Sequence, residues 1–359
     1  MPGKIKIGFI GAGGIARPHA FAINSLKYYY RDAPEVSLVS VSSASVQSRE
    51  SFAADFGFSK AVSPRQFFTD NEIDTVYILG PNSVHFDHFS EALKMPSIKR
   101  IYIEKPLCSG KDEEFKMTVL SARRPDVTIQ AGFQYLFMTA VREAVNVWKS
   151  GVLGVPLHFE IKYFHGDYLQ KSYRDKRANR LTPSPDGGAM ADLGSHAISL
   201  AVAFLGNGLK VNEALKAGKF PDVDPYSDLF SLITLSDSET GAAGTLSASR
   251  IASGSGDTLS MEFYCTKGCL RFSSQNPDYL EYYLEETGTW TRKNTGSNYP
   301  GVTSFPSGHV PAGWLRAMIH AHYIFLTGNK EDVMPDIKHA LEVQRIVREF
   351  SEIIKAKLP

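Results

Sequence analysis

Cysteine is scarce in this chain: three among 359 residues cannot build a disulfide framework. Cys265 and Cys269 flank Thr266-Lys267-Gly268, which reads as a tight turn between strands. No His or further Cys stands beside them, as a zinc site would need. A surplus of one charge is missing too. With 39 basic and 38 acidic residues the net charge is +1, which removes the electrostatic case for nucleic acid or an anionic membrane surface. No apolar run approaches the roughly 20 residues that span a bilayer. Met1-Pro2-Gly3-Lys4 leads directly into an apolar run, with no room for a signal peptide. The expectation is a cytoplasmic protein with reduced thiols, no metal, no nucleic acid and no membrane. The length exceeds one usual hydrophobic core, so two domains are expected.

Organisation follows from periodicity. Buried-strand runs at residues 5–10, 37–41, 75–79, 100–104 and 127–131 alternate with helical stretches at 16–26, 46–56, 83–94 and 111–122. Such alternation predicts a doubly wound parallel sheet in an α/β domain. Beyond about residue 132 the rhythm changes. A helix at 140–149 precedes an alternating strand at 157–164, and a helix spans 189–204. Short strand-like runs follow at 229–235, 243–249, 259–264, 269–272 and 280–284, which predict one mostly antiparallel sheet. Residues 286–308, rich in Gly, Ser, Thr and Asn, read as a long surface loop. Two helices, 312–326 and 337–354, close the chain.

The chemistry lies at strand ends. Gly11-Ala12-Gly13-Gly14-Ile15-Ala16 follows the first strand and opens a helix. Gly11 would permit the tight turn and Gly13 a close approach to a pyrophosphate, with the helix amides as donors. The second strand ends Ser42-Ser43-Ala44-Ser45, without the acid that would accept from a ribose 2′-hydroxyl. Serine hydroxyls with Arg49 suit a 2′-phosphate better, so the expectation favours NADP over NAD. Asp32 and Glu35 precede the strand and read as loop residues. Gly80-Pro81-Asn82-Ser83-Val84-His85 follows the third predicted strand. Asn82 or Ser83 would cap the next helix, and His85 would face the nicotinamide or the solvent. Glu104-Lys105-Pro106 ends the fourth predicted strand, and the proline keeps Lys105 extended, projecting into the crevice. Its ammonium would polarise a carbonyl or stabilise an alkoxide. Asp192 and His196, at i and i+4 after Gly187-Gly188, share a helix face. There His196 would exchange a proton with a substrate hydroxyl, and Asp192 would orient it or bind the substrate.

The order of Gly-rich turn, Pro81-Asn82-x-x-His85, Glu104-Lys105-Pro106 and Asp192-x-Gly194-x-His196 resembles the Gfo/Idh/MocA oxidoreductase family. The resemblance covers nearly the whole chain, including Gly132-Phe133-Gln134-Tyr135 and the closing helices. It implies a Rossmann domain over residues 1–131. Residues 132–359 would form an α/β domain around an open, mostly antiparallel sheet, often an oligomer interface. The closing helices would be able to pack back on the first domain. A homodimer or homotetramer is implied. So is hydride transfer between a nicotinamide and a carbinol or ketone of a sugar, polyol or related cyclic alcohol. Lys105 becomes the catalytic lysine, His196 the acid/base and Asp192 its neighbour in substrate binding. Glu104, Lys105 and Gln134 join the cofactor contacts. Some similar proteins are glycosidases that use NAD for transient oxidation, and others are sensors; such sensors tend to lose the lysine and histidine, which this chain keeps. Ser43 replaces the second-strand acid, Leu136 a common basic residue, and Ser199 a common Asp. Tyr163, His165, Tyr168, Tyr173 and Arg174, between strand and catalytic helix, are the substrate contacts to search.

Overall fold

The computed structural model describes residues 3–182, 187–295, 312–330 and 333–357. These fall into two compact units. Residues 3–134 with 315–341 form the first, and 135–295 with 312–314 and 342–357 the second.

The first unit is built on β1 (Ile5–Ile10), β2 (Val36–Ser42), β3 (Lys60–Val62), β4 (Thr75–Ile78), β5 (Arg100–Ile103) and β6 (Thr128–Ala131). They pair in parallel in the order β3-β2-β1-β4-β5-β6. The crossovers are α1 (Ala16–Tyr29), α2 (Val46–Phe56), the single turn α3 (Pro64–Phe67), α4 (His85–Lys94) and α5 (Lys111–Arg123). Every residue of β4 is buried, and only Lys6 of β1 is exposed. Apolar runs this continuous form central strands because both faces must be covered. Strand order reverses between β1 and β4, where doubly wound sheets open a crevice at their carboxyl ends. Around the sheet's centre, Phe9, Tyr77 and Tyr102 pack ring to ring, and Phe325 of α9 (Ala312–Thr327) meets the two tyrosines edge-on.

The second unit holds β7 (Pro156–Phe164), β8 (Leu209–Ala217), β9 (Phe230–Asp237), β10 (Ala243–Ser249), β11 (Thr258–Cys265), β12 (Gly268–Ser273), β13 (Tyr279–Leu284) and β14 (Thr289–Asn294). The sheet order is β14-β13-β12-β11-β7-β10-β9-β8, and only the β7–β10 pair is parallel. Burial alternates along β9, as expected for a sheet with one covered face. The covering helices include α6 (Thr139–Lys149) and α8 (Ser195–Leu205). Trp148, Phe204 and Phe263 meet with ring centroids 5.0–5.4 Å apart. A short α7 (Lys171–Lys176) follows β7, and α10 (Ile337–Ala356) ends the described chain. Among the described residues no helix is long and apolar enough to cross a membrane.

Two departures from the sequence reading have simple causes. Strand β8, Leu-Lys-Val-Asn-Glu-Ala-Leu-Lys-Ala, is absent from the strand-like runs read in the sequence, because it contains good helix formers; antiparallel pairing with β9 holds it in the sheet, with a register shift between Val211 and Glu213. The loop expected at 286–308 begins instead with β14, which pairs with β13. The remainder of that expected loop, 296–308, lies outside the described residues.

His88 on α4 gives the first unit a pH dependence. Burial, with His85 nearby, lowers its imidazole from 6.5 to about 4. The unfolded chain therefore binds more protons than the folded one between those values. Stability is full above 6.5 and is lost as pH falls through that window. The thermal midpoint should be lower at pH 5 than at 7.5, and His88→Gln should narrow the difference; an unchanged difference would contradict this assignment.

Candidate active site

Gly11 leaves β1 with φ 123°, and a β-carbon there would stand 2.5 Å from the Leu79 carbonyl carbon and 2.7 Å from Gly80 N. Only glycine lets the two turns at the sheet's reversal point lie together. At Gly13 and Gly14 the space a β-carbon would occupy is open. Helix α1 starts with no side-chain cap and no acid in its first turn, while Ala16 is fully buried. An exposed glycine backbone ahead of uncapped amides fits a dinucleotide pyrophosphate. Ala12 and Ile15 are half-buried in the same turn, and Pro81 and Asn82 lie on the neighbouring one.

At the second strand, Ser43 Oγ donates to the Ser45 carbonyl (2.9 Å), and Arg49 donates to the Ser43 carbonyl (3.0 Å). Ser45 caps α2 by accepting from Ser48 N. Ser42 is fully buried, so its hydroxyl is withdrawn from a role at the ribose. Asp32 accepts from the Tyr323 hydroxyl (2.7 Å), which occupies it at α9 and leaves the missing acid unreplaced.

The lysine turn is well fixed. Lys105 is half-buried at the end of β5, between Glu104 (5% exposed) and Pro106, with a cis bond between Lys105 and Pro106. His85 is fully buried, with Nδ1 2.8 Å from the Pro106 carbonyl and Nε2 2.9 Å from the Gly80 carbonyl. Neither a nicotinamide contact nor a surface position describes it: both ring nitrogens face main chain, tying the Gly80 turn to the lysine turn. Neither Asn82 nor Ser83 caps α4, because a 3-10 turn over Asn82–Val84 intervenes and Val84 takes the cap position. Gln134 is buried and opens the 3-10 turn Gln134–Phe137.

In the second unit, Met190–Gly194 forms a π-helical turn that runs into α8. The wider turn changes the α-helical i, i+4 geometry expected of Asp192 and His196; such turns recur at functional sites. Asp228 anchors the segment, accepting from Ala189 N (2.7 Å), Met190 N (3.0 Å) and Ser231 Oγ (2.6 Å). Asp192 Oδ2 accepts from Arg250 (3.0 Å) and Arg180 (3.1 Å). Arg250 is 2% exposed and stacks over Tyr168, 4.9 Å from the ring centre. His196 packs edge-on against Tyr135 and tilted against Tyr163, at 5.1 and 5.8 Å. The Tyr135 and Tyr163 hydroxyls lie 2.8 Å apart, and Tyr163 donates to Asp257 (3.3 Å). Burial raises both phenols, so they are neutral hydrogen-bonding groups at ordinary pH. Burial likewise lowers the imidazole of His165, which packs beside Tyr168.

Residues 5–133 match the model of an oxidoreductase family with an NAD-binding Rossmann fold, GFO_IDH_MocA, and residues 141–271 match the GFO/IDH/MocA C-terminal domain. The chain belongs to the Gfo/Idh/MocA family. It is 26% identical over 306 residues to levoglucosan dehydrogenase of Pseudarthrobacter phenanthrenivorans, covering 77% of this chain and 76% of that one. It is also 26% identical over 275 residues to scyllo-inositol 2-dehydrogenase (NAD(+)) of Bacillus subtilis, covering 75% and 74%. Among solved structures, levoglucosan dehydrogenase in complex with NADH and levoglucosan superposes with TM-score 0.85 at 21% identity, covering 99% of this chain and 98% of that one. This likeness is one of fold. The chain is thus an oxidoreductase of a family of sugar and polyol dehydrogenases, with an NAD-binding Rossmann fold.

Within this Gfo/Idh/MocA chain the expected substrate contacts separate. Tyr163 lies against His196, while Tyr168 is 1% exposed in a cluster with Leu181 and Leu229, and Tyr173 packs on that cluster. Arg174 is committed to structure: it pairs with Asp222 through Nε and Nη2 and donates to the Tyr168 and Leu169 carbonyls. A guanidinium so engaged has no fork left for a sugar. Sequence reasoning missed Arg250 and Asp257, and quoted Tyr135 in a motif without giving it a place beside His196. Each follows or lies between recognisable elements, and nothing local marks it as a partner of the Asp192–His196 segment.

Gly13→Val tests the nucleotide turn. The open space should keep the thermal midpoint within about 2 °C, while NAD(P)H affinity should fall at least about tenfold. Gly11→Ala should lower both, because it adds strain of about 1–3 kcal/mol at a positive φ. Unaltered cofactor affinity in Gly13→Val, read by nicotinamide fluorescence, would contradict the turn's role.

Proposed function

We propose that this protein oxidises a carbinol, or reduces the matching ketone, on a sugar, polyol or related cyclic alcohol. The observation that carries this reading is the placement of Lys105. It sits half-buried at the carboxyl end of β5, on the sheet edge that also presents the Gly11–Ile15 turn and Gly80-Pro81-Asn82. The nicotinamide, when bound, supplies the hydride acceptor or donor. Gly13, Gly14 and the first amides of α1 would hold its pyrophosphate. The Lys105 ammonium stabilises negative charge on the substrate oxygen during oxidation and polarises the carbonyl during reduction. His196 takes the hydroxyl proton in one direction and returns it in the other. Asp192, fixed by Arg250 and Arg180, presents a positioned carboxylate to a substrate hydroxyl. Tyr163 and His165 add hydrogen-bonding groups.

Cofactor preference is assigned to NADP: the end of β2 has no acid to repel a 2′-phosphate, and Arg49 is held at that corner. The NAD named for the B. subtilis relative is the competing outcome. A cytoplasmic compartment fits three free thiols, and an even-numbered homo-oligomer fits the second unit's broad sheet.

Two measurements test this. Reduced-nicotinamide absorbance with NADP or NAD, against sugars, polyols and cyclic diols, should rise for one substrate class, and tighter binding of NADH than NADPH would overturn the cofactor preference. Lys105→Met should cut turnover by a factor of about 10²–10³ or more while cofactor affinity survives. Substantial activity in that variant would overturn the role of Lys105. Free sugar released without net change in cofactor redox state would favour a glycosidase, and binding without turnover a sensor.

A further inference from the structure

Arg180 stands beside Asp192 in a way that stability alone does not require. Asp192 Oδ2 accepts from two guanidiniums, Arg250 at 3.0 Å and Arg180 at 3.1 Å, and the two differ in setting. The Arg250 side chain is 2% exposed, whereas that of Arg180 is 50% exposed. The buried pair already gives the carboxylate a counter-charge, and an exposed ion pair added at the same oxygen contributes little to stability. A guanidinium carries five N–H donors. Asp192 takes one from Arg180, and the Tyr168 hydroxyl lies beside the group. Arg174, by contrast, has its donors on Asp222 and two carbonyls. The main chain at Arg180 is fixed: its N–H donates to the Arg177 carbonyl (2.8 Å), and its carbonyl accepts from Arg250 Nη1 (2.9 Å). A cation held in this way is preorganised, with its outer donors open to solvent.

The same segment carries more positive charge than it pairs. Residues 171–180 hold five basic residues and one acid, Asp175. Lys171 pairs with Asp175, and Arg174 with Asp222. Lys176 and Arg177 are exposed, and among the described residues neither meets a carboxylate. Stacked groups tie Arg177 to the Asp192 end of the unit. Arg177 lies 5.7 Å from the Tyr173 ring centre, Tyr173 lies 5.1 Å from Tyr168, and Arg250 lies 4.9 Å from Tyr168. Acids also bear on this region. Asp228 is buried and holds two amides and a serine hydroxyl, and Asp257 accepts from Tyr163. The Asp167 charge acts on His165 and Tyr173. Among the described residues none of these three pairs with Lys176, Arg177 or Arg180. A planar fork suits the oxygens of a carboxylate or phosphate, which accept two N–H bonds at once. Asp192 can only accept, so it suits a hydroxyl close to such an anion.

We propose that Arg180 is a specificity-determining residue and that the substrate is an anionic sugar or polyol. Its carboxylate or phosphate meets the Arg180 guanidinium while a hydroxyl meets Asp192, and Arg177 adds attraction at longer range. The proposal rests on the dehydrogenase reading above, so binding and turnover are measured separately. The full chain with oxidised cofactor is titrated with glucose, glucuronate and glucose 6-phosphate, and with inositol and its monophosphate. Each is then offered as substrate. At least one anionic member should bind about tenfold or more tightly than its neutral parent, and its identity tells carboxylate from phosphate. The preference should shrink as salt rises from about 50 to about 300 mM. Arg180→Gln should weaken the anion about tenfold or more and change the neutral parent by no more than about threefold. Arg180→Lys, charged but without the fork, should keep part of the preference. Equal affinity for anion and parent would overturn the proposal, as would binding of no anion. So would equal losses for both in Arg180→Gln, which would make Arg180 only a structural partner of Asp192. Anion binding without turnover of any member would leave the proposal standing and remove the dehydrogenase reading. Binding and turnover of neutral members alone would do the reverse.

Discussion

Parallel strands that leave a sheet on either side of a reversal in strand order send their connections in opposite directions, and the main chain beside that reversal is exposed to a ligand. In this protein the reversal lies between β1 and β4. The backbone at Gly11 approaches Leu79 and Gly80 so closely that no side chain fits between them. That contact brings the glycine-rich turn after β1 beside the Gly80-Pro81-Asn82 turn. His85 then ties the Gly80 carbonyl to Pro106, so the lysine turn inherits its position from the same place. The site in the first unit is therefore a sequence of backbone constraints, with few exposed side chains at its centre.

The second unit uses a different device. A π-helical turn cannot rely on regular packing alone, and buried charge holds this one. Asp228 gathers two main-chain amides and a serine hydroxyl at its start, and Arg250 and Arg180 hold Asp192 within it. Tyr135 and Tyr163, linked through their hydroxyls, flank His196 with aromatic rings. Such an arrangement restricts the imidazole by shape, through ring contacts on two sides.

Much of this was legible in the sequence. The alternation of apolar runs specified the parallel sheet because both of its faces are buried, and glycine at a turn between strand and helix has few physical explanations. The family and its oxidoreductase class followed from motifs whose order is informative. What was hidden depends on long-range contact. Nothing near Arg250 shows that it will meet Asp192, 58 residues away in sequence. His19 sits on the inward face of α1, three positions beyond Ala16, and reads as an ordinary core histidine until His322 arrives from α9. Arg174 misled for the converse reason: its position after β7 suited substrate, but Asp222 and two carbonyls occupy its donors. Strand β8 went unread because its Lys, Asn and Glu residues break the apolar pattern, and only pairing with β9 defines it.

The central claim is that hydrogen leaves the substrate carbon as hydride while its oxygen is handled by side chains of this protein. Deuterium transfer tests it most directly. An accepted polyol or sugar labelled with deuterium at the reacting carbinol carbon would be turned over with oxidised cofactor, and the product nicotinamide examined by mass spectrometry and NMR. The account predicts one deuterium at nicotinamide C4 for each substrate oxidised. Loss of the label to solvent with an unlabelled nicotinamide would contradict direct hydride transfer.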